Sequence, residues 1–307
     1  MIYDAFGRPT LNLRISLTQR CNYRCPYCHR EGENSPLTAM SSDEVVRIAR
    51  IALSLGISRV KLTGGEPLLR PDILDIVKGI AGHRGLLDLS MTTNGTHLSS
   101  LAGSLRKSGL MRVNVNLPTL NAGVYEALTG GNLKDALDGI ETAVEAGLYP
   151  VKLNMLILVG VNEKEIPRML NFARRSEVVL QLIELEPANV DASYYSRHHY
   201  RLDDVEVMLS KQALQVKTRG DMQNRRVYFL PGVKVEVIRP IENTEFCAHC
   251  TRLRVTSDGR LKPCLMRNDN LVDILTPMRD GASDEELVQL FMEAVKRREP
   301  YYKMKSE

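Results

Sequence analysis

The residues best equipped for chemistry are six cysteines. They fall into two sets of three with none left over, Cys21-x3-Cys25-x2-Cys28 and Cys247-x2-Cys250-x13-Cys264. The N-terminal stretch MIYDAFGRPTLNLRISL is broken by charge before any apolar run of secretory length, so a soluble, cytoplasmic protein is expected. In that setting clustered cysteines point to metal or redox chemistry rather than to disulfides. Three thiolates can hold three irons of a [4Fe–4S] cluster, leaving the fourth iron free to accept a substrate. The alternative for the first group is a structural zinc site completed by His29. Zinc sites usually pair cysteines as C-x2-C, whereas a three-residue gap opens this group. For the second group the spacing alone leaves iron–sulfur and zinc, completed by His249 or water, equally open.

The elements that must position these groups follow a short rhythm. Strand-like segments near 11–17, 59–63, 86–92, 112–117, 151–158 and 179–185 alternate with amphipathic helices near 42–55, 71–81, 97–108, 133–146 and 163–176. A sixth helix near 203–213 closes the series. This is the pattern of parallel βα units. The first helix opens on a capping box, Ser41 to Glu44. Cys21 to Cys28 follow directly on the first strand and so lie in a loop at its C-terminal end, where barrel enzymes place their chemistry.

Alternate side chains of a strand face opposite ways. Asn12, Arg14 and Ser16 therefore share a face, as do Arg59, Lys61 and Thr63, then Asp88, Ser90 and Thr92, then Arg112, Asn114 and Asn116, and finally Lys152 with Asn154. A closed eight-stranded barrel fills its lumen with Val, Ile and Leu. Five polar-faced strands instead predict an α/β fold of the incomplete (β/α)6 TIM type, with helices outside and a wide, wet, polar lumen. The sixth strand, VLQLIEL, fits less well because Ile183 shares parity with Gln181. Beyond residue 230 the rhythm gives way to short strands, a turn at Asp258-Gly259 and a helix near 283–298. Two domains are expected, a partial barrel over 1–229 and a small α+β domain over 230–307 carrying the second cysteine group. A net charge of +4 at 25% charged residues is too mild for a nucleic-acid coat, and no apolar run is long enough to span a membrane.

The C-x3-C-x2-C spacing with Tyr27 before its last cysteine, together with Gly64-Gly65-Glu66-Pro67 after the second strand, resembles the radical S-adenosylmethionine (SAM) superfamily. In that superfamily the open iron chelates SAM, and electron transfer gives a 5′-deoxyadenosyl radical. The string TEFCAHCTRLRVTSDGRLKPCL, the GRP segment at Gly7 to Pro9, the LRIS strand and Thr92-Thr93-Asn94-Gly95 are similar to the GTP 3′,8-cyclase family of molybdenum cofactor biosynthesis. The resemblance spans nearly the whole chain. It implies two [4Fe–4S] clusters, the second facing the substrate guanine. It also implies GTP contacts at Arg14, Lys61, Thr92, Lys152, Arg252 and Arg254, and SAM contacts at Tyr27, Gly65 and Asn116. Further implications are an external electron donor, a homodimer, and a downstream enzyme that makes cyclic pyranopterin monophosphate.

Strand parity independently turns Arg14, Lys61, Thr92, Asn116 and Lys152 to the lumen. No G-x4-G-K-[ST] motif occurs, so side chains must supply the charge that holds a triphosphate. Strand interiors are poor places for cations unless they meet an anion. Four departures stand out: Gln181 replaces an arginine of bacterial members, Asn116 replaces a common serine, the Arg59/Lys61 pair reverses a common Lys/Arg order, and the KMKSE ending lacks their Gly-Gly tail. The competing expectation within the same chemistry is a radical SAM enzyme that modifies a peptide or tetrapyrrole.

Overall fold

The computed structural model describes residues 1–33 and 40–303; the KMKSE ending lies outside them from residue 304 onward. The strands are β1 (Asn12–Ser16), β2 (Arg59–Thr63), β3 (Asp88–Thr93), β4 (Arg112–Asn116), β5 (Lys152–Leu156) and β6 (Val179–Ile183), each parallel to the next. The intervening helices are α1 (Ser42–Ser54), α2 (Ile73–Ala81), α3 (Leu98–Lys107), α4 (Ala122–Thr129), α5 (Leu133–Glu145) and α6 (Ile166–Arg175). On the outward face Leu13, Ile15, Val60, Leu62, Val113 and Val115 are completely buried against this helical layer. That leaves the opposite, polar face to the lumen, as the alternation predicts. In α1 both halves of the capping box form, and Val45, Ile48, Ala49 and Ala52 supply the buried stripe.

The chain continues through α7 (Ala192–His198), α8 (Asp203–Gln212), β7 (Gln215–Arg219), β8 (Arg225–Leu230) and β9 (Val233–Ile238). It ends through α9 (Thr244–Ala248), β10 (Arg252–Val255), β11 (Arg260–Lys262), β12 (Val272–Asp273), α10 (Leu275–Arg279) and α11 (Asp284–Lys296). These strands extend the same sheet on both sides, in the order β12-β11-β10-β1-β2-β3-β4-β5-β6-β9-β8-β7. β9 runs parallel to β6 and β10 parallel to β1, while the outer pairs are antiparallel.

The sequence reading placed one helix between β4 and β5, but there are two. Asn121 caps α4 with its side chain, and Gly130 at φ +74° ends it, so a short helix forms from a segment with little amphipathic signal. The hairpin β7–β8 also lies outside the expected elements, because β7 is almost wholly exposed and lacks an apolar face. No helix among the described residues is long and apolar enough to cross a membrane.

Candidate active site

The first cysteine loop is fixed by the end of β2. Gly65 N donates to Thr18 O at 2.6 Å and Glu66 N to Arg20 O at 2.8 Å, so the two loops run hand in hand. A Cβ on Gly65 would lie 2.2 Å from Arg20 O, and one on Gly64, at φ +145°, would lie 2.4 Å from Thr18 O. Only glycine permits that approach. Glu66 is buried and accepts from Leu68 N at 3.0 Å, Thr93 Oγ1 at 2.7 Å and Asn94 N at 2.7 Å; burial pushes its carboxyl up to about 7. Asn94 in turn donates to Asn22 Oδ1 at 2.7 Å. The Gly-Gly-Glu and Thr-Asn-Gly segments thus form one brace behind Cys21.

Burial raises the thiols of Cys21, Cys25 and Cys28, that of Cys25 to about 12, and charge on one thiolate raises a neighbour further. Such a set ionises readily only when a cationic centre takes up the thiolates, which suits iron. Among the described residues no three His, Cys, Asp or Glu side chains gather around one ion-sized point. A cluster would offer each thiolate a different iron. His29, the fourth ligand of the zinc alternative, accepts at Nδ1 from Glu31 N at 3.0 Å.

The second group lies at the other end of the lumen. Cys247 and Cys250 immediately precede β10, which is parallel to β1, whereas Cys21 to Cys28 follow β1. Arg8 of the GRP segment donates to Cys247 O at 2.8 Å, and the fully buried Arg298 donates to Cys250 O and, at 2.5 Å, to Thr10 Oγ1. Burial opposes ionisation of Cys250, but Arg298, Arg252 and Arg8 prevail and lower its pKa.

One cavity joins the two ends. Its lining includes Arg14, Lys61, Thr92, Lys152, Arg252 and Arg254, the expected nucleotide contacts, and Tyr27, Gly65 and Asn116, the expected SAM contacts. Cys21, Cys25 and Cys28 also line it. Cys247, Cys250 and Cys264 do not, although their neighbours Phe246 and Leu265 do. Gln181 and Ile183 both face the cavity, so the lumen face of β6 is mixed rather than misassigned. Nine lysine and arginine side chains line the cavity against four glutamates.

Two of those glutamates were missed from sequence and organise the cations. Glu31 accepts from Arg14 at 2.6 Å, Arg254 at 2.8 Å and the Thr63 hydroxyl at 2.9 Å. Burial alone would raise its carboxyl, but Arg14, His29 and Arg254 hold it at about 2. Glu236 accepts from Lys152 at 2.6 Å and Gln181 at 2.6 Å and is likewise held at about 2. Alternation in VKVEVI puts Glu236 opposite the valines, a signal that becomes readable once β9 is known to flank β6. Glu31 lies in a loop, where no periodicity marks it. The Arg252 side chain has no hydrogen bond and no carboxylate partner among the described residues; burial, with Arg225, Arg254 and Arg14 nearby, pushes its guanidinium well below its usual range, against the pull of the Cys250 thiolate.

Fold and site together define a barrel enzyme built around a cysteine-held cluster. Residues 15–173 match the Radical SAM superfamily, and residues 178–304 match Molybdenum Cofactor Synthesis C. A probable GTP 3′,8-cyclase of Thermococcus kodakarensis is 52% identical over 99% of this chain and 100% of its own. Those of Pyrococcus abyssi and Methanothermobacter thermautotrophicus are 48% and 46% identical, each over 98% of this chain and 100% and 99% of their own. Among solved structures, SuiB of Streptococcus suis bound to S-adenosylmethionine matches at TM-score 0.65 and 15% identity, over 96% of this chain and 67% of that one. Methylornithine synthase matches at TM-score 0.57 and 17% identity, over 92% and 86%. These structural likenesses are of fold. The chain belongs to the radical SAM superfamily and, within it, to the GTP 3′,8-cyclase family. Membership brings with it SAM and a [4Fe–4S] cluster.

Proposed function

We propose that the chain binds GTP and SAM together in the one cavity and converts GTP to (8S)-3′,8-cyclo-7,8-dihydroguanosine 5′-triphosphate, the first step of molybdenum cofactor biosynthesis. The observation that carries this is the placement of two three-cysteine groups at opposite ends of one cation-lined lumen. Cys21, Cys25 and Cys28 would hold the cluster that, with SAM bound, supplies the electron for carbon–sulfur cleavage. Cys247, Cys250 and Cys264 would hold a second cluster, and the arginines about Cys250 favour the thiolate it needs. The division into a partial barrel, 1–229, and a cluster-carrying part, 230–307, belongs to the same reading.

Each side chain then has a role. Tyr27, Gly65 and Asn116 line the part of the cavity beside the first cysteine loop and would contact SAM. Arg14 and Arg254 are held in place by a shared carboxylate, and Thr92 offers a hydroxyl from another strand of the lining. Lys61, whose ammonium donates to Asn114 Oδ1 at 2.9 Å, and Lys152 add charge from two further strands. Arg252, with no carboxylate partner among the described residues, is open to an incoming anion. An external electron donor, a homodimer, a cytoplasmic location and a partner that converts the product to cyclic pyranopterin monophosphate complete the proposal.

Arg252→Ala and Arg254→Ala should retain iron and slow SAM cleavage but bind GTP about ten- to a hundredfold more weakly, the loss of a charge-assisted hydrogen bond. Titration calorimetry with GTP, alongside iron and 5′-deoxyadenosine assays, reads all three. Parental GTP affinity in both variants would contradict the assignment.

A further inference from the structure

The β7–β8 hairpin brings a second set of cations into the lumen from the far edge of the sheet. Arg219 and Arg225 are direct partners across its antiparallel ladder, and both line the cavity. Like charges placed directly opposite each other on a ladder destabilise it unless an anion lies between them. The nearest carboxylate is Glu236 on β9, whose oxygens already accept from Lys152 and Gln181 at 2.6 Å each. Arg219 reaches Glu236 only at 3.5 Å. Arg225 donates through Nη2 to Gln223 Oε1 at 2.5 Å, but its buried Nε has no partner. Burial pushes the Arg225 guanidinium down to about 10. Lys152, Arg219 and Arg225 therefore share Glu236, with Glu186 also acting on Arg225, which leaves a surplus of positive charge on this wall of the cavity. Gln181, the departure noted in the sequence, contributes none to this wall, and the hairpin does.

We propose that Arg219 and Arg225, with Lys152, form a subsite for the terminal phosphates of the bound nucleotide. The subsite rests on the reading of GTP as substrate and adds to it a preference for triphosphate over monophosphate. Planar guanidinium groups suit the task because they offer parallel donors to phosphate oxygens.

The test is anaerobic titration calorimetry of the cluster-loaded protein with GTP, GDP and GMP, without reductant. Iron content and thermal midpoint are read alongside to identify any misfolded variant. The parent should bind GTP more tightly than GMP. Arg219→Ala, at a partly exposed position, should weaken GTP by about tenfold while leaving GMP nearly unchanged. Arg219→Lys should recover part of the loss, and Arg225→Lys, which keeps charge but loses the planar fork, should fall between parent and Arg219→Ala. An unchanged ratio of GTP to GMP affinity in Arg219→Ala, or an equal loss for both ligands, would overturn the subsite while leaving GTP as substrate. A parent that binds neither nucleotide would overturn the substrate reading, and the subsite with it.

Discussion

At the scale of single residues, the lumen is held by carboxylates as much as by cations. Glu31 keeps two arginines 2.6 and 2.8 Å from its oxygens, so both guanidinium groups are fixed before any ligand arrives. The same pairing sets an acid limit. The Glu31 carboxyl lies at about 2 against an ordinary 4.5, so its contribution to stability is complete above the ordinary value. It is lost as pH falls from 4.5 towards 2. Urea midpoints of the iron-free protein should therefore drop across that interval. Glu31→Gln should be less stable at neutral pH, because two buried arginines lose their counter-ion, and should show a flatter acid dependence. An equally steep drop in the variant would count against this pairing as its source.

At the scale of elements, the brace behind Cys21 is set by close backbone approach. Gly65→Ala would bring a Cβ to 2.2 Å from Arg20 O and 2.6 Å from Arg20 C, so the cysteine loop must move. The second group stands at the other end of the strands and depends on Arg8 and Arg298 instead. Reconstituted Gly65→Ala should therefore lose about half its iron, the share of one of two equal clusters, and cease to cleave SAM. Full iron loading with parental 5′-deoxyadenosine formation would contradict the brace. The polar faces of β1 to β5 were readable because their alternation is regular, and nine of the fourteen residues named from them line the cavity, Asn12, Ser16, Arg59, Asp88 and Ser90 being the exceptions. The pairing of β9 with β6 and of β10 with β1 was not readable, because it depends on which edge a distant strand finds. Without it Arg219, Arg225 and Glu236 could not be placed beside Lys152. Glu31, in a loop, gave no periodic signal, so the internal pairing of Arg14 and Arg254 was missed with it.

At the scale of the whole molecule, one twelve-stranded sheet brings residues from both ends of the chain around a single lumen. The first cysteine group lies past the C-terminal end of β1, while Cys247 and Cys250 precede β10 and Cys264 follows β11, and the lysines and arginines of the cavity lie among the strands between. That geometry suits a substrate long enough to extend from one group towards the other and anionic along part of its length, as a nucleoside triphosphate is. The most direct measurement uses GTP deuterated at C3′ of the ribose, incubated with SAM, reductant and the reconstituted protein, and followed by mass spectrometry. The deuterium should appear in 5′-deoxyadenosine, and the nucleotide product should be a 3′,8-cyclised isomer of GTP that has lost it. If 5′-deoxyadenosine formed without deuterium and GTP came back unchanged, GTP would not be the substrate of this lumen.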